Sequence, residues 1–117
     1  MSQDKSELAQ VEFDIKQMED ELKRYENDLE KAKLIEDFLE SDVYKKVFKA
    51  VYIDGYRETA QANCALFNIQ QTTNFVHGMK ARAYLVDFME RTKEEGLVAV
   101  VAIEEFKEEL KIAYKKI

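Results

Sequence analysis

LAQVEFDIKQMEDELKRYENDLEKA, residues 8–32, decides how this chain is read. Its apolar positions Leu8, Val11, Ile15, Met18, Leu22, Tyr25, Leu29 and Ala32 step 3-4-3-4-3-4-3. That rhythm is the seam of a coiled coil, in which a and d positions face another helix. With Leu8 at a, the g positions are Glu7, Asp14, Glu21 and Asp28, and the e positions are Glu12, Glu19, Glu26 and Lys33. In a parallel pair of identical helices, Glu7–Glu12, Asp14–Glu19 and Glu21–Glu26 repel and only Asp28–Lys33 attracts. An antiparallel pair of identical helices fares no better, since it sets g against g and e against e. The helix asks for a neighbour and resists a copy of itself. Pairs at i,i+4 such as Glu12–Lys16, Glu19–Lys23 and Asp20–Arg24 offset some of this charge within the helix, at about 0.2–0.5 kcal/mol each.

Working outward, the first helix is expected over residues 4–40, with a phase slip after Ala32 at Ile35 and Leu39. Ser41 is the expected N-cap of a second helix, with Asp42 in its first turn. Val43, Val47, Phe48 and Val51 line one face of that helix, Lys45, Lys46 and Lys49 its exposed side, and Gly55 its stop. A third helix from Tyr56 to Phe67 is expected to bury Ala60, Cys64 and Phe67. Thr72 or Thr73 is the candidate cap of a last helix over residues 74–115. Gly78 and Gly96 fall inside that helix, at a cost of about 1 kcal/mol each relative to alanine.

The last helix repeats the rhythm of the first: Ala99, Ile103, Phe106, Leu110, Ala113 and Ile117 step 4-3-4-3-4. Lys107, Tyr114 and Lys116 flank it with one acid, Glu109, which makes it a better electrostatic match for the first helix than the first helix is for itself. The expected fold is therefore all-α. A long N-terminal coiled-coil helix packs antiparallel on a long C-terminal helix, within a chain or between chains, with two short helices at 41–70. Residues 1–117 read as one helical domain. Leu97 to Ile103 is apolar all round, so a lone antiparallel pair leaves half of that run uncovered and an oligomer covers it.

Composition agrees. The 117 residues contain no proline, three glycines and 36% charged side chains, so long helices are permitted throughout. No apolar run reaches the roughly 18 residues of a membrane span, and no signal segment opens the chain. The one cysteine, Cys64, forms no internal disulfide and suits a reducing compartment. Residues 1–42 carry 6 basic and 14 acidic side chains, and residues 43–117 carry 12 and 10. The acidic arm repels nucleic acid and favours a basic protein partner or the basic parts of the same chain.

No residue constellation points to catalysis, a cofactor or a metal. His77 lacks a second ligand at metal spacing, and Cys64 reads as a packing residue. Glu104, Glu105, Glu108 and Glu109 read as a solvated face, without the Glu-x-x-His elements of a di-metal bundle. Lys45, Lys46, Lys49, Lys80 and Arg82 form a candidate phosphate-contact set. The interaction residues are expected along the two stripes: Leu8, Val11, Ile15, Met18, Leu22, Tyr25 and Leu29, with Ile103, Phe106 and Leu110.

The order of segments carries a resemblance. An acidic heptad helix leads into Leu34, Ile35, Phe38 and Leu39, then a lysine-bearing helix ending in Gly55-Tyr56, then an alanine-rich helix. A long helix follows with Leu85, Phe88, Gly96 and Ile103-Glu104-Glu105. Across residues 8–112 this resembles short coiled-coil-headed helical proteins of tailed bacteriophages. The resemblance implies a phage setting without enzymatic activity, in the particle or in its assembly. Together with the apolar stripes the expectation is an oligomer, in the virion or the host cytoplasm, whose partner is a copy of itself or another phage protein. A small DNA-binding packaging or regulatory protein and an acidic inhibitor of a host protein are the alternatives.

Overall fold

The computed structural model describes residues 2–117, with side chains from Lys5 onward. It is 95% helical and, among the described residues, has no strand. Helix α1 spans Ser2–Glu40 and is followed by a π-helical segment, Tyr44–Gly55. Helix α2 spans Tyr56–Asn63, a 3-10 turn covers Cys64–Leu66, and α3 runs from Ile69 to Tyr114. The chain divides into two compact units, residues through Lys33 with Glu94–Ile117, and Leu34–Lys93.

In the first unit α1 and α3 pack against each other within one chain. They run antiparallel: Ala32 meets Gly96, Tyr25 meets Phe106, and Glu19 accepts a hydrogen bond from the Tyr114 hydroxyl. Ile15, Leu110 and Ala113 form the buried cluster, with Val11, Met18 and Leu22 half-buried around it. Full burial of a side chain the size of Ile15 or Leu110 contributes about 1.5–3 kcal/mol. Gly96 has a packing reason for its place in the helix: a Cβ there would overlap the Cβ of Ala32. The seam frays at its ends, where Leu8 is 43% exposed and Ile117 61% exposed. Ile117 lies beyond the last residue of α3.

The buried or half-buried positions of α3 extend further than the stripe read from sequence. Phe75, Gly78, Arg82, Leu85, Met89, Thr92, Gly96, Ala99, Ile103, Phe106, Leu110 and Ala113 alternate steps of three and four without a break. Glycine, arginine and threonine at four of these positions hide the register from a hydrophobicity count. Buried Thr92 satisfies its hydroxyl by donating to the Phe88 carbonyl at 2.8 Å, the usual back-bond of a mid-helix threonine.

The second unit is built on aromatic rings. Phe38 packs on Tyr44 and Phe48 (centroids 5.3 and 5.4 Å), and Phe48 on Tyr52 at 6.3 Å. Tyr56 stacks on Phe75 at 5.7 Å, and Phe75 meets Phe67 at 6.2 Å. Arg82 joins the two sets, its guanidinium carbon 4.1 Å from the Tyr52 ring centre and 3.5 Å from that of Tyr56. Its Nε donates to the Tyr52 carbonyl at 2.6 Å and its Nη1 to the Gly78 carbonyl at 3.0 Å. The Tyr56 ring lies so close to α3 that a Cβ at Gly78 would overlap its hydroxyl.

Four local expectations need correction here. Gly55 does not stop a helix: it has helical dihedrals and the chain continues directly into α2. A Cβ at this position would sit 3.0 Å from the Ala50 carbonyl oxygen, a tight contact that glycine avoids. The third helix ends at Asn63 rather than Phe67, and the tighter turn that follows leaves Cys64 exposed. The cap of α3 is Asn68 rather than Thr72 or Thr73. Its Oδ1 accepts from the Gln71 backbone at 2.8 Å while Gln71 Oε1 accepts from the Asn68 backbone at 2.9 Å, a reciprocal capping box. The face expected of Val43, Val47, Phe48 and Val51 is divided: Phe48 is half-buried, whereas the three valines are exposed. Ser41 does cap, accepting from the Tyr44 backbone at 3.2 Å.

Candidate interaction surface

The seam uses up most of the apolar stripe of α1. Ile15 and Ala32 are buried, and Val11, Met18, Leu22, Tyr25 and Leu29 are half-buried. On α3 Ile103 and Leu110 are buried and Phe106 is half-buried against Tyr25, with ring centroids 5.8 Å apart. These residues therefore serve the pairing of α1 with α3 in one chain.

What remains open lies beside the seam. Ala99 is fully buried and Ile103 nearly so, but Leu97 is 69% exposed, Val98 61% and Val101 58%. With α1 as the neighbour, half of the apolar run is covered. Leu97, Val98, Val101 and Ala102 line a cleft of about 540 Å³ with Tyr25 and Glu105. A smaller cleft of about 230 Å³ is lined by Asp14, Gln17, Met18, Glu21 and Phe106. Tyr25 lines the first and Phe106 the second, and the two rings meet across the seam. The floor is apolar, the charged groups at the walls are carboxylates, and no basic side chain lines either cleft.

The acids of this groove were not singled out by charge pattern alone. Asp14 and Glu21 are g positions, half-buried toward α3, whereas the e-position acids Glu12, Glu19 and Glu26 are exposed. The heptad assignment names both flanks, but only the position of the second helix says which one borders a groove. Nor do ion pairs link the helices: among the described residues every salt bridge joins positions three or four apart on one helical stretch. Arg24 pairs with Glu21 at 2.7 Å rather than with Asp20. The Arg24 guanidinium is held above its ordinary value by its contact with the Tyr25 hydroxyl and then by Glu21. The polar tie across the seam is Tyr114 with Glu19. That hydrogen bond, then loss of solvent and the nearby negative charge, raises the Tyr114 phenol above the ordinary tyrosine value.

The candidate phosphate-contact residues are divided by the fold. Lys45, Lys46, Lys49 and Lys80 are exposed. Arg82 is engaged with two rings and two carbonyls. Its role is to fasten α3 to the π-helical segment, and sequence gave no sign of that beyond the tyrosines at 52 and 56. Lys46 lies 3.7 Å from Asp42, both side chains largely in solvent, a contact of little energetic weight. Val43, Val47 and Val51, four residues apart and so on one face, are 57%, 54% and 65% exposed; Lys45 and Lys49, two residues away from them, fall on the opposite side of the helix.

Other chemistry is sparse. His77 and Glu104, Glu105, Glu108 and Glu109 are all exposed. Among the described residues no group of three or more His, Cys, Asp or Glu is placed to hold a metal ion. A further cavity of about 380 Å³ between α2 and the start of α3 is lined by the rings of Tyr56, Phe67 and Phe75 and by uncharged Asn, Gln and Thr side chains. No described helix is long and apolar enough to cross a membrane. Compared with known proteins, the chain matches no family model, no curated protein sequence and no solved structure.

Proposed function

We propose that this is a non-enzymatic helical protein that works as an oligomer through helix–helix contacts, in the structure or assembly of a tailed bacteriophage. One observation supports the contact role above the others. Leu97, Val98 and Val101 stand in solvent beside a seam that α1 has already filled. Contiguous apolar surface of this kind is characteristic of a binding face. The phage setting rests on the order of segments across residues 8–112 and places the protein in the virion or the host cytoplasm. Light scattering coupled to size exclusion tests the oligomeric role. The expected mass is two or more whole multiples of 13.7 kDa, and a monomer at every concentration overturns it.

The exposed lysines 45, 46 and 49 favour a second reading, a small DNA-binding packaging or regulatory protein. Its mark is a gel shift that weakens steeply with salt. No shift at low salt removes it.

A further inference from the structure

The cavity between α2 and the start of α3 lies wholly in the second unit and takes no part in the α1–α3 seam. Its volume of about 380 Å³ falls within the range of about 300–1,000 Å³ that small-molecule sites occupy. Its apolar lining is aromatic: Tyr56, Phe67 and Phe75, with Phe75 in ring contact with both others. Its polar lining is one hydroxyl, Thr59, and three amides, Asn63, Gln71 and Asn74. No charged side chain lines it.

Each amide has one half tied to the chain, which fixes which half is left for a ligand. Asn63 Nδ2 donates to the Thr59 carbonyl at 2.8 Å. Gln71 Oε1 accepts from the Asn68 backbone at 2.9 Å, and Asn74 Oδ1 accepts from Gln70 Nε2 at 3.1 Å. Among the described residues the other halves have no partner. They are one acceptor, Asn63 Oδ1, and two donors, Gln71 Nε2 and Asn74 Nδ2. The Tyr56 hydroxyl already donates to the Asn74 and Phe75 carbonyls, so Tyr56 offers its ring and not its polar end.

We propose that this cavity binds a neutral nucleobase, carried as a nucleoside. Aromatic walls select a flat ligand, because planar rings stack on them. A hydrocarbon ring would cover the amides without replacing their hydrogen bonds to water, and each group left unmet weakens binding. An indole has one donor and no acceptor, so it leaves both amide donors unmet. A nucleobase carries donors and acceptors side by side on one edge, and asparagine and glutamine amides pair with such an edge. Charge sets the last limit. No cation lines the cavity to meet a phosphate and no carboxylate to meet an amine, so base and ribose supply the contacts and a phosphate adds none. The proposal is independent of the oligomeric reading above.

The test titrates the full chain with adenosine, adenosine monophosphate and indole by calorimetry. Adenosine and its monophosphate are expected to bind alike and to change little with salt, and indole to bind about tenfold more weakly or less. In NMR the side-chain amide signals of Gln71 and Asn74 should move as adenosine is added. Phe67→Leu removes a ring and Asn74→Leu an amide; each should weaken adenosine about tenfold. Circular dichroism first shows that both variants melt as the wild type does. Should Phe67→Leu melt early, Asn74→Leu, at an exposed position, and the wild-type amide signals carry the test. Millimolar adenosine that gives neither heat nor a shift of those signals overturns the proposal. So does an affinity that no correctly folded variant changes, or indole binding as tightly as adenosine. A monophosphate that binds more tightly and loses that advantage in salt also overturns it, since a phosphate would then be the group recognised. None of these results bears on the mass of the assembly, so the oligomeric reading stands or falls separately.

Discussion

The first unit is held by small and aliphatic side chains at heptad spacing, the second by rings and an arginine. In the first, Ala32 and Gly96 let two helices approach until their Cβ positions would overlap, and Ile15, Leu110 and Ala113 close the space that remains. In the second, seven aromatic rings and the Arg82 guanidinium do the corresponding work. The first unit depends on volume, and a change of one methyl group is felt there. The second depends on orientation, because ring edges, ring faces and a planar cation attract only in certain geometries. A chain can thus contain one region that hydrophobic periodicity describes well and another that it describes poorly.

The sharpest break of this comparison is Ile15→Ala or Leu110→Ala. Each is expected to cost about 2–5 kcal/mol by urea denaturation. The double variant should cost less than the two added, because the residues share one cluster. Gly96→Ala comes next. Alanine is the better helix former by about 1 kcal/mol, yet the collision with Ala32 should turn the change into a net loss of about 1–3 kcal/mol. The paired change Gly96→Ala with Ala32→Gly should recover part of it. Stability equal to wild type in Gly96→Ala alone would show that the helices are not in close contact there.

Arg82→Met addresses the other unit. Cation–π contacts contribute about 0.5–2 kcal/mol, and hydrogen bonds from a charged donor about 1.5–3 kcal/mol. The expected outcome is faster amide hydrogen exchange over residues 34–93 with protection retained in the first unit. Equal loosening throughout would mean that the two units open together. Asn68→Ala removes one half of the capping box and should cost about 0.5–2 kcal/mol, with fraying confined to the first turn of α3.

The smallest effect is electrostatic. The Tyr114 phenol donates to Glu19, and its proton is held more tightly than in an ordinary tyrosine. A raised folded value means that the contribution is fully present below the ordinary tyrosine value and is lost as pH rises through Tyr114's own higher one. In a spectrophotometric titration Tyr114 should ionise later than an ordinary tyrosine, and Glu19→Ala, which removes the acceptor, should bring it back. A titration that Glu19→Ala leaves unchanged would remove the contact.

The difference between the units also explains what could be read from the chain alone. Two long antiparallel helices followed from Leu8 to Ala32 and Ala99 to Leu110, because a repeated step of three and four residues has one geometric meaning. The same register continues back to Phe75, but Gly78, Arg82, Thr92 and Gly96 occupy its core positions and mask it. Gly55 looked like a stop because a glycine between two apolar runs usually marks one. The π-helical winding gave it another use, and no residue pattern announces a twelve-residue stretch of that winding, which is rare in proteins. The groove was half legible: the acids were visible as a charge pattern, but which flank bordered open space depended on where α3 lies.

Cys64 is the only thiol in the chain and stands exposed on the turn after α2. A single maleimide dye can therefore be attached to each molecule without mutating it first. Counting bleaching steps in one assembled particle then counts its chains. Energy transfer between donor- and acceptor-labelled copies reports how close neighbouring second units come. Because Cys64 takes no part in the α1–α3 seam, the label leaves that pairing untouched.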